Sequence, residues 1–200
     1  MSRRTRRNLL LVGAVIAVAG GLSAAIAESS ARPRNPASDA AARATPYQVF
    51  FLGSSFEGLK LSGRIRRLEK PQPGEAFGAD FFSYLYGTCK TSAKDPTCPI
   101  PLEVQSWAAC KRNRSVYRLT PAGEPLPRKD TTIRGVPASH FEEGFRLEVY
   151  TGRTTVVIFG NSSAQITRAA LEMRSVDGKI KPREPLPPPA PGALTGELAC

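Results

Sequence analysis

Histidine is all but missing from this chain. His140 is the only one, so any Ser-His-Asp or Cys-His mechanism has to pass through it. It sits in Ala138-Ser139-His140-Phe141-Glu142-Glu143-Gly144, which reads as a surface loop. A nucleophile elbow is missing as well. Gly53-Ser54-Ser55-Phe56-Glu57-Gly58 places Glu57 where G-x-S-x-G needs its second glycine, so this stretch reads as a polar turn. There is no C-x-x-C pair, which argues against a zinc site built from the four cysteines and His140. No catalytic or cofactor motif is recognisable, and no cofactor is expected.

Acidic residues are absent from the first 27 positions, and this absence is informative. Arg3, Arg4, Arg6 and Arg7 are followed by a small and apolar run, Leu9 to Ala27, that ends in Ala25-Ile26-Ala27 before Glu28. A basic start, an apolar centre and an A-x-A end make an export signal of bacterial type, so the remainder should fold outside the cytoplasm. Thr5-Arg6-Arg7-Asn8-Leu9-Leu10 also fits the start of a twin-arginine signal, which leaves the general and twin-arginine routes open. If residues 9–27 are not removed, they are long enough to anchor the chain in the plasma membrane, with the arginines held inside. Membrane contact is expected through that segment alone. Cleavage after Ala27 is the favoured reading, because Gly13, Gly20, Gly21 and the alanines weaken the run as a permanent span.

The chain has 28 Lys+Arg against 17 Asp+Glu, a net charge of +11. With the four signal arginines removed, residues 28–200 carry +7. No long block of one sign occurs. The densest basic stretches are Lys60, Arg64, Arg66, Arg67 and Lys70, and then Lys111, Arg112, Arg114 and Arg118. Outside a cell such a surface meets acidic lipid, anionic wall polymer or a protein partner, and a nucleic-acid partner is not expected after export. Trp107 lies just before the second basic stretch. Trp107, Arg112, Arg114 and Arg118 are therefore the candidate ligand-binding residues, an aromatic face beside guanidinium groups. The competing reading is a tryptophan that packs over a disulfide.

Cys89, Cys98, Cys110 and Cys200 suit an oxidising compartment. Cys89 and Cys98 are the natural pair, because the Lys94-Asp95-Pro96-Thr97 stretch between them can turn the chain back. Cys110 and Cys200 can then pair if the proline-rich tail folds back onto the domain.

Residues 28–46 read as a flexible linker, 47–178 as a single domain, and 179–200 as a proline-rich tail that is extended and largely outside the core. Strands are expected at Tyr47–Leu52, Phe81–Tyr86, Leu102–Trp107 and Thr131–Arg134. Phe145, Leu147 and Val149 alternate with polar residues, Thr151-Gly152 turns, and Thr154–Phe159 returns, which predicts a hairpin. Ser162 and Gln165 form a capping pattern for a helix whose face is Ile166, Ala169, Ala170 and Met173. The expected class is α+β, an antiparallel sheet of five or six strands packed against a C-terminal helix.

Tyr86-Gly87-Thr88-Cys89, with Cys98-Pro99-Ile100-Pro101-Leu102-Glu103-Val104-Gln105-Ser106-Trp107-Ala108-Ala109-Cys110, resembles a pattern in uncharacterised exported proteins of actinobacteria. Arg134-Gly135-Val136-Pro137-Ala138, with the hairpin and helix after it, is similar to extracytoplasmic modules in lipoproteins and sensor proteins. The resemblance implies an exported module and brings no activity with it. No cysteine follows Leu22-Ser23-Ala24-Ala25, so a lipobox is missing.

Two functional classes remain at this point. One is a non-enzymatic extracytoplasmic module that binds an envelope component or partner protein. The other is an extracytoplasmic hydrolase or thiol-redox enzyme with a site not visible in the sequence. Export itself is testable: N-terminal sequencing of extracytoplasmic material should begin at Glu28, and a full-length cytoplasmic protein would overturn the reading.

Overall fold

In the computed structural model the described residues are 36–71, 78–88, 100–113 and 118–200, all within the unit Pro33–Cys200. Residues 1–27, read above as an export signal, and Cys89, Cys98 and Arg114 lie outside them. The chain runs α1 (Pro36–Arg43), β1 (Phe50–Phe51), β2 (Ser55–Phe56), β3 (Leu59–Leu68), β4 (Asp80–Tyr86) and β5 (Leu102–Ala108). It continues with α2 (Ala109–Arg112), β6 (Arg128–Ile133), β7 (Val136–Phe141), a 3-10 turn (Glu142–Gly144), β8 (Arg146–Thr151), β9 (Thr154–Gly160), α3 (Ser163–Glu172) and β10 (Arg174–Ser175). No described helix is long and apolar enough to cross a membrane.

Eight strands form one antiparallel sheet in the order β2-β3-β4-β5-β9-β8-β7-β6. It consists of two meanders, β2 to β5 and β6 to β9, joined where β5 lies beside β9. The class is α+β, as expected, but the sheet has eight strands rather than five or six. Two longer strands escaped the alternation argument. β3 coincides with the first basic stretch, where arginines interrupt the apolar period. β7 contains Pro137, which cannot donate a ladder hydrogen bond. The structure accommodates it because pairing of β7 with β8 begins only at Ala138.

Partners across an antiparallel ladder share a face, so the register sorts the side chains. Phe82, Tyr84, Tyr86, Leu102, Val104, Leu147, Val149, Val156 and Ile158 form the main core with Ile166, Ala169, Ala170 and Met173 of α3. The helix begins as the sequence implies: Ser162 Oγ accepts the Gln165 amide at 3.2 Å, and Gln165 Oε1 accepts the Asn161 amide at 2.9 Å. A Cβ at Gly160 would stand 2.7 Å from Ile166 Cγ2, so a glycine must end β9 for the helix to close down. The helix is not the last cover of the sheet, because β10 and the tail follow it. Burial raises the pKa of the Tyr84 hydroxyl in this core to about 12, with the Asp39 carboxylate adding to the shift.

Two peripheral segments differ from expectation. Residues 36–43, read as linker, form α1. The tail is not outside the core, for Leu186, Ala193 and Leu198 are buried. Its prolines lack donors but supply acceptors: the Gly152 amide donates to the Pro188 carbonyl at 3.1 Å and Thr151 Oγ1 to that of Pro187 at 2.8 Å. Arg134 holds the tail from the other side. Its guanidinium donates to the carbonyls of Glu184, Met173 and Lys181 at 2.5 to 2.7 Å, while its own carbonyl accepts the Leu186 amide at 3.0 Å. The far end is fixed by a disulfide between Cys110 and Cys200, Cα atoms 5.3 Å apart.

Arg134 has φ of +49°, a conformation that costs a side-chain-bearing residue about 1 kcal/mol relative to glycine. Arg134→Ala should therefore lose the clasp, about 3 kcal/mol for charge-assisted bonds. Arg134→Gly should lose about 1 kcal/mol less, because it relieves the backbone. Denaturant unfolding of the two variants checks the order, and hydrogen exchange at residues 181–186 should rise in both.

Candidate functional site

The second face of the sheet carries polar groups where the first carries apolar ones. Ser83, Glu103, Gln105 and Trp107 form a chain across β4 and β5. Ser83 Oγ donates to Glu103, Gln105 Nε2 to Glu103 Oε1 at 2.9 Å, and Trp107 Nε1 to Gln105 Oε1 at 2.8 Å. The Trp107 ring stacks on Phe81 with centroids 4.1 Å apart, and the Arg112 guanidinium lies 4.9 Å from its centre. Trp107 and Arg112 are each only 2% exposed. Trp107 thus packs on Phe81, while Cys110, three residues on, bonds to Cys200.

Arg112 points to Glu148, which is fully buried, and Nε donates to Oε1 at 3.1 Å. Arg118 Nε stands 3.7 Å from Glu148 Oε2 and Arg146 Nε 3.9 Å from Oε1, so three guanidinium groups surround one carboxylate. Arg146 also pairs with the half-exposed Glu142 at 2.8 Å. Burial lowers the Arg146 pKa from its ordinary value and the neighbouring Arg112 and Arg118 push the same way, while Glu148 and Glu142 oppose them. Burial raises the Tyr150 pKa, helped by Glu148. Arg118 is held by Asn113 Oδ1 at 2.7 Å and the Tyr150 hydroxyl at 3.3 Å, and it borders a cavity of about 630 Å³ with Arg128 and Phe141. Of the four residues read from the sequence, Trp107 and Arg112 are therefore interior, Arg118 borders a cavity, and Arg114 lies outside the described residues.

The two basic stretches meet elsewhere, at Asp80. Arg66 of β3 bonds it at 3.2 Å, and Lys111 of α2 reaches its other oxygen at 3.9 Å. Both line a cavity of about 390 Å³ together with Arg153, which lies in the β8–β9 turn. Its remaining walls are α1, the Thr45–Tyr47 segment, Ala108, Leu198 and the Cys110–Cys200 bridge. Burial pushes the Tyr47 hydroxyl pKa up, and the Asp80 charge adds to the shift. Three cations thus ring an apolar hollow against one carboxylate. Nothing local in the sequence marks Asp80, Arg153 or Glu148, since each acquires its neighbours only through strand order.

His140 lines a third cavity, of about 540 Å³, with Glu142, Glu143 and Ser163. Its Nδ1 is buried without a hydrogen-bond partner, and no bond joins it to Ser163. Burial lowers its pKa, and the charge of Lys129 adds to the shift. Among the described residues, no three His, Cys, Asp or Glu side chains gather as a metal site. Comparison of the chain with protein-family models, with curated proteins and with solved structures returns no match.

The arginine cluster makes a graded prediction. Glu148→Gln strands three buried or half-buried cations and should cost about 3–5 kcal/mol. Arg112→Met should cost less, because the carboxylate keeps Arg118 and Arg146. Equilibrium unfolding in denaturant measures both.

Proposed function

We propose that this is an exported, non-enzymatic extracytoplasmic module that binds an anionic component of the cell envelope. An acidic lipid, a wall polymer or the acidic surface of a protein partner would satisfy that description. The observation that carries the reading is the convergence of Arg66, Lys111 and Arg153 on one cavity, with Asp80 the only carboxylate among its lining side chains. Basic residues scattered over a surface are screened singly beyond about 8 Å at physiological salt. Cations that ring one hollow add their fields and favour an anion seated among them. What unites these side chains is positive charge, and the sole histidine lines a different cavity.

Co-sedimentation with anionic vesicles or wall fragments at low and high salt tests the proposal. Each cation near an anionic surface contributes about 1 kcal/mol, so Arg66→Gln, Lys111→Gln and Arg153→Gln together should weaken adhesion on the order of a hundredfold. The same number of changes at Lys179, Lys181 and Arg183 should leave it nearly unchanged. Equal losses from the two sets would mean that net charge alone acts.

A further inference from the structure

We infer that the occupant of the 390 Å³ cavity is a monomeric single-chain amphiphile with one anionic head group, an inference that rests on the anion-binding reading above. The cavity has two chemistries. Its rim holds Arg66, Lys111 and Arg153, whereas Ala44, Ala108, Leu198 and the disulfide offer only methyl, methylene and sulfur surface. A hydrophilic anion such as a wall polymer would have to leave that apolar surface wet or cover it with hydroxyl groups that find no partners there. The two lining hydroxyls are already engaged within the protein: Tyr47 donates to the Asp80 carbonyl at 3.4 Å, and Thr45 Oγ1 lies 2.8 Å from the Ala42 carbonyl and 2.6 Å from that of Tyr47. A glycan would find few uncharged donors, while an alkyl chain needs none.

The volume lies toward the small end of ligand cavities, roughly 300–1,000 Å³, and suits one chain of moderate length rather than a two-chain lipid. The arrangement orients its guest. The head group meets the cations, and the chain lies along the apolar lining of Ala44, Ala108 and Leu198. Asp80 restrains Arg66 and Lys111 in place, so the rim is held before the ligand arrives. The residues involved come from α1, β3, α2, the β8–β9 turn and the tail. The tail's return to the domain is therefore what completes the cavity.

Calorimetry of the purified disulfide-bonded protein with hexyl, octyl and decyl phosphate, each below its micelle concentration, tests this. Binding should be one to one and should tighten about fourfold per added methylene until the hollow is full. Inorganic phosphate and decanol should each bind at least tenfold more weakly than decyl phosphate. Ala44→Trp, at an exposed position that borders the cavity, should flatten the chain-length series. If that variant melts early, Ala44→Leu serves the same comparison. Inorganic phosphate binding as tightly as decyl phosphate would overturn the amphiphile and leave the anion reading intact. Decanol binding as tightly would overturn the anion reading as well. A chain-length series unchanged in the Ala44 variant would place the ligand elsewhere.

Discussion

A single buried carboxylate organises one whole face of this protein. Glu148 sits at zero exposure in β8, where an isolated charge would be untenable, and it is tolerated because Arg112, Arg118 and Arg146 reach it from three directions. Those arginines belong to different parts of the chain. Arg112 ends α2, Arg118 opens the segment that leads to β6, and Arg146 begins β8 itself. Arg112 at the end of the first meander and Arg118 before the second therefore meet at Glu148. A well-packed apolar cluster of similar volume could be as stable, yet it would be less selective about which segment lies there.

The same placement accounts for what lies nearby. With Arg112 drawn inward, Trp107 gains a cation against its ring and Phe81 against its face. Lys111, one residue earlier in α2, is left pointing toward Asp80 and the rim of the cavity. Cys110 turns to the tail, and Asn113 donates to the Ala193 carbonyl. One short helical turn thus distributes four consecutive side chains among core, rim, bridge and tail.

Much of this was legible wherever neighbouring residues decide the outcome. The β8–β9 hairpin, the cap at Ser162, the helix face of α3 and strands β4 and β5 all follow from alternation, turn chemistry and three- and four-residue spacing. What escaped depends on residues far apart in sequence. β3 reads as a run of charge because its arginines are judged without Asp39, Asp80 and the ring of Phe82, which they meet only once the sheet is assembled. The tail reads as a spacer because prolines cannot donate, whereas the structure uses the carbonyls of Pro187 and Pro188, with Thr151 and Gly152 as donors, and those of Lys181 and Glu184, with Arg134 as the donor. For the candidate site, the basic stretches and Trp107 were visible, but their destinations were not. Arg146, Glu148 and Tyr150 looked like the wet side of a two-faced strand. One clue was present: β9 is apolar at both Val156 and Val157, as befits a strand covered on both faces, and its hairpin partner shares that burial.

The cavity beside the disulfide is walled by Ala41 and Ala44 on one hand and by Leu198 and Cys200 on the other, so the two ends of the domain are neighbours in space. The exposed turn between Thr120 and Glu124 is closed by two backbone hydrogen bonds and by the Glu124 amide, which donates to Thr120 Oγ1 at 3.2 Å. A chain re-joined across the cavity and opened at that turn would begin with β6 to β9 and finish with β5 and α2. Every strand would keep its neighbours in the sheet. The order in which the two meanders are threaded is thus a matter of history rather than of architecture, and the domain is a natural subject for circular permutation.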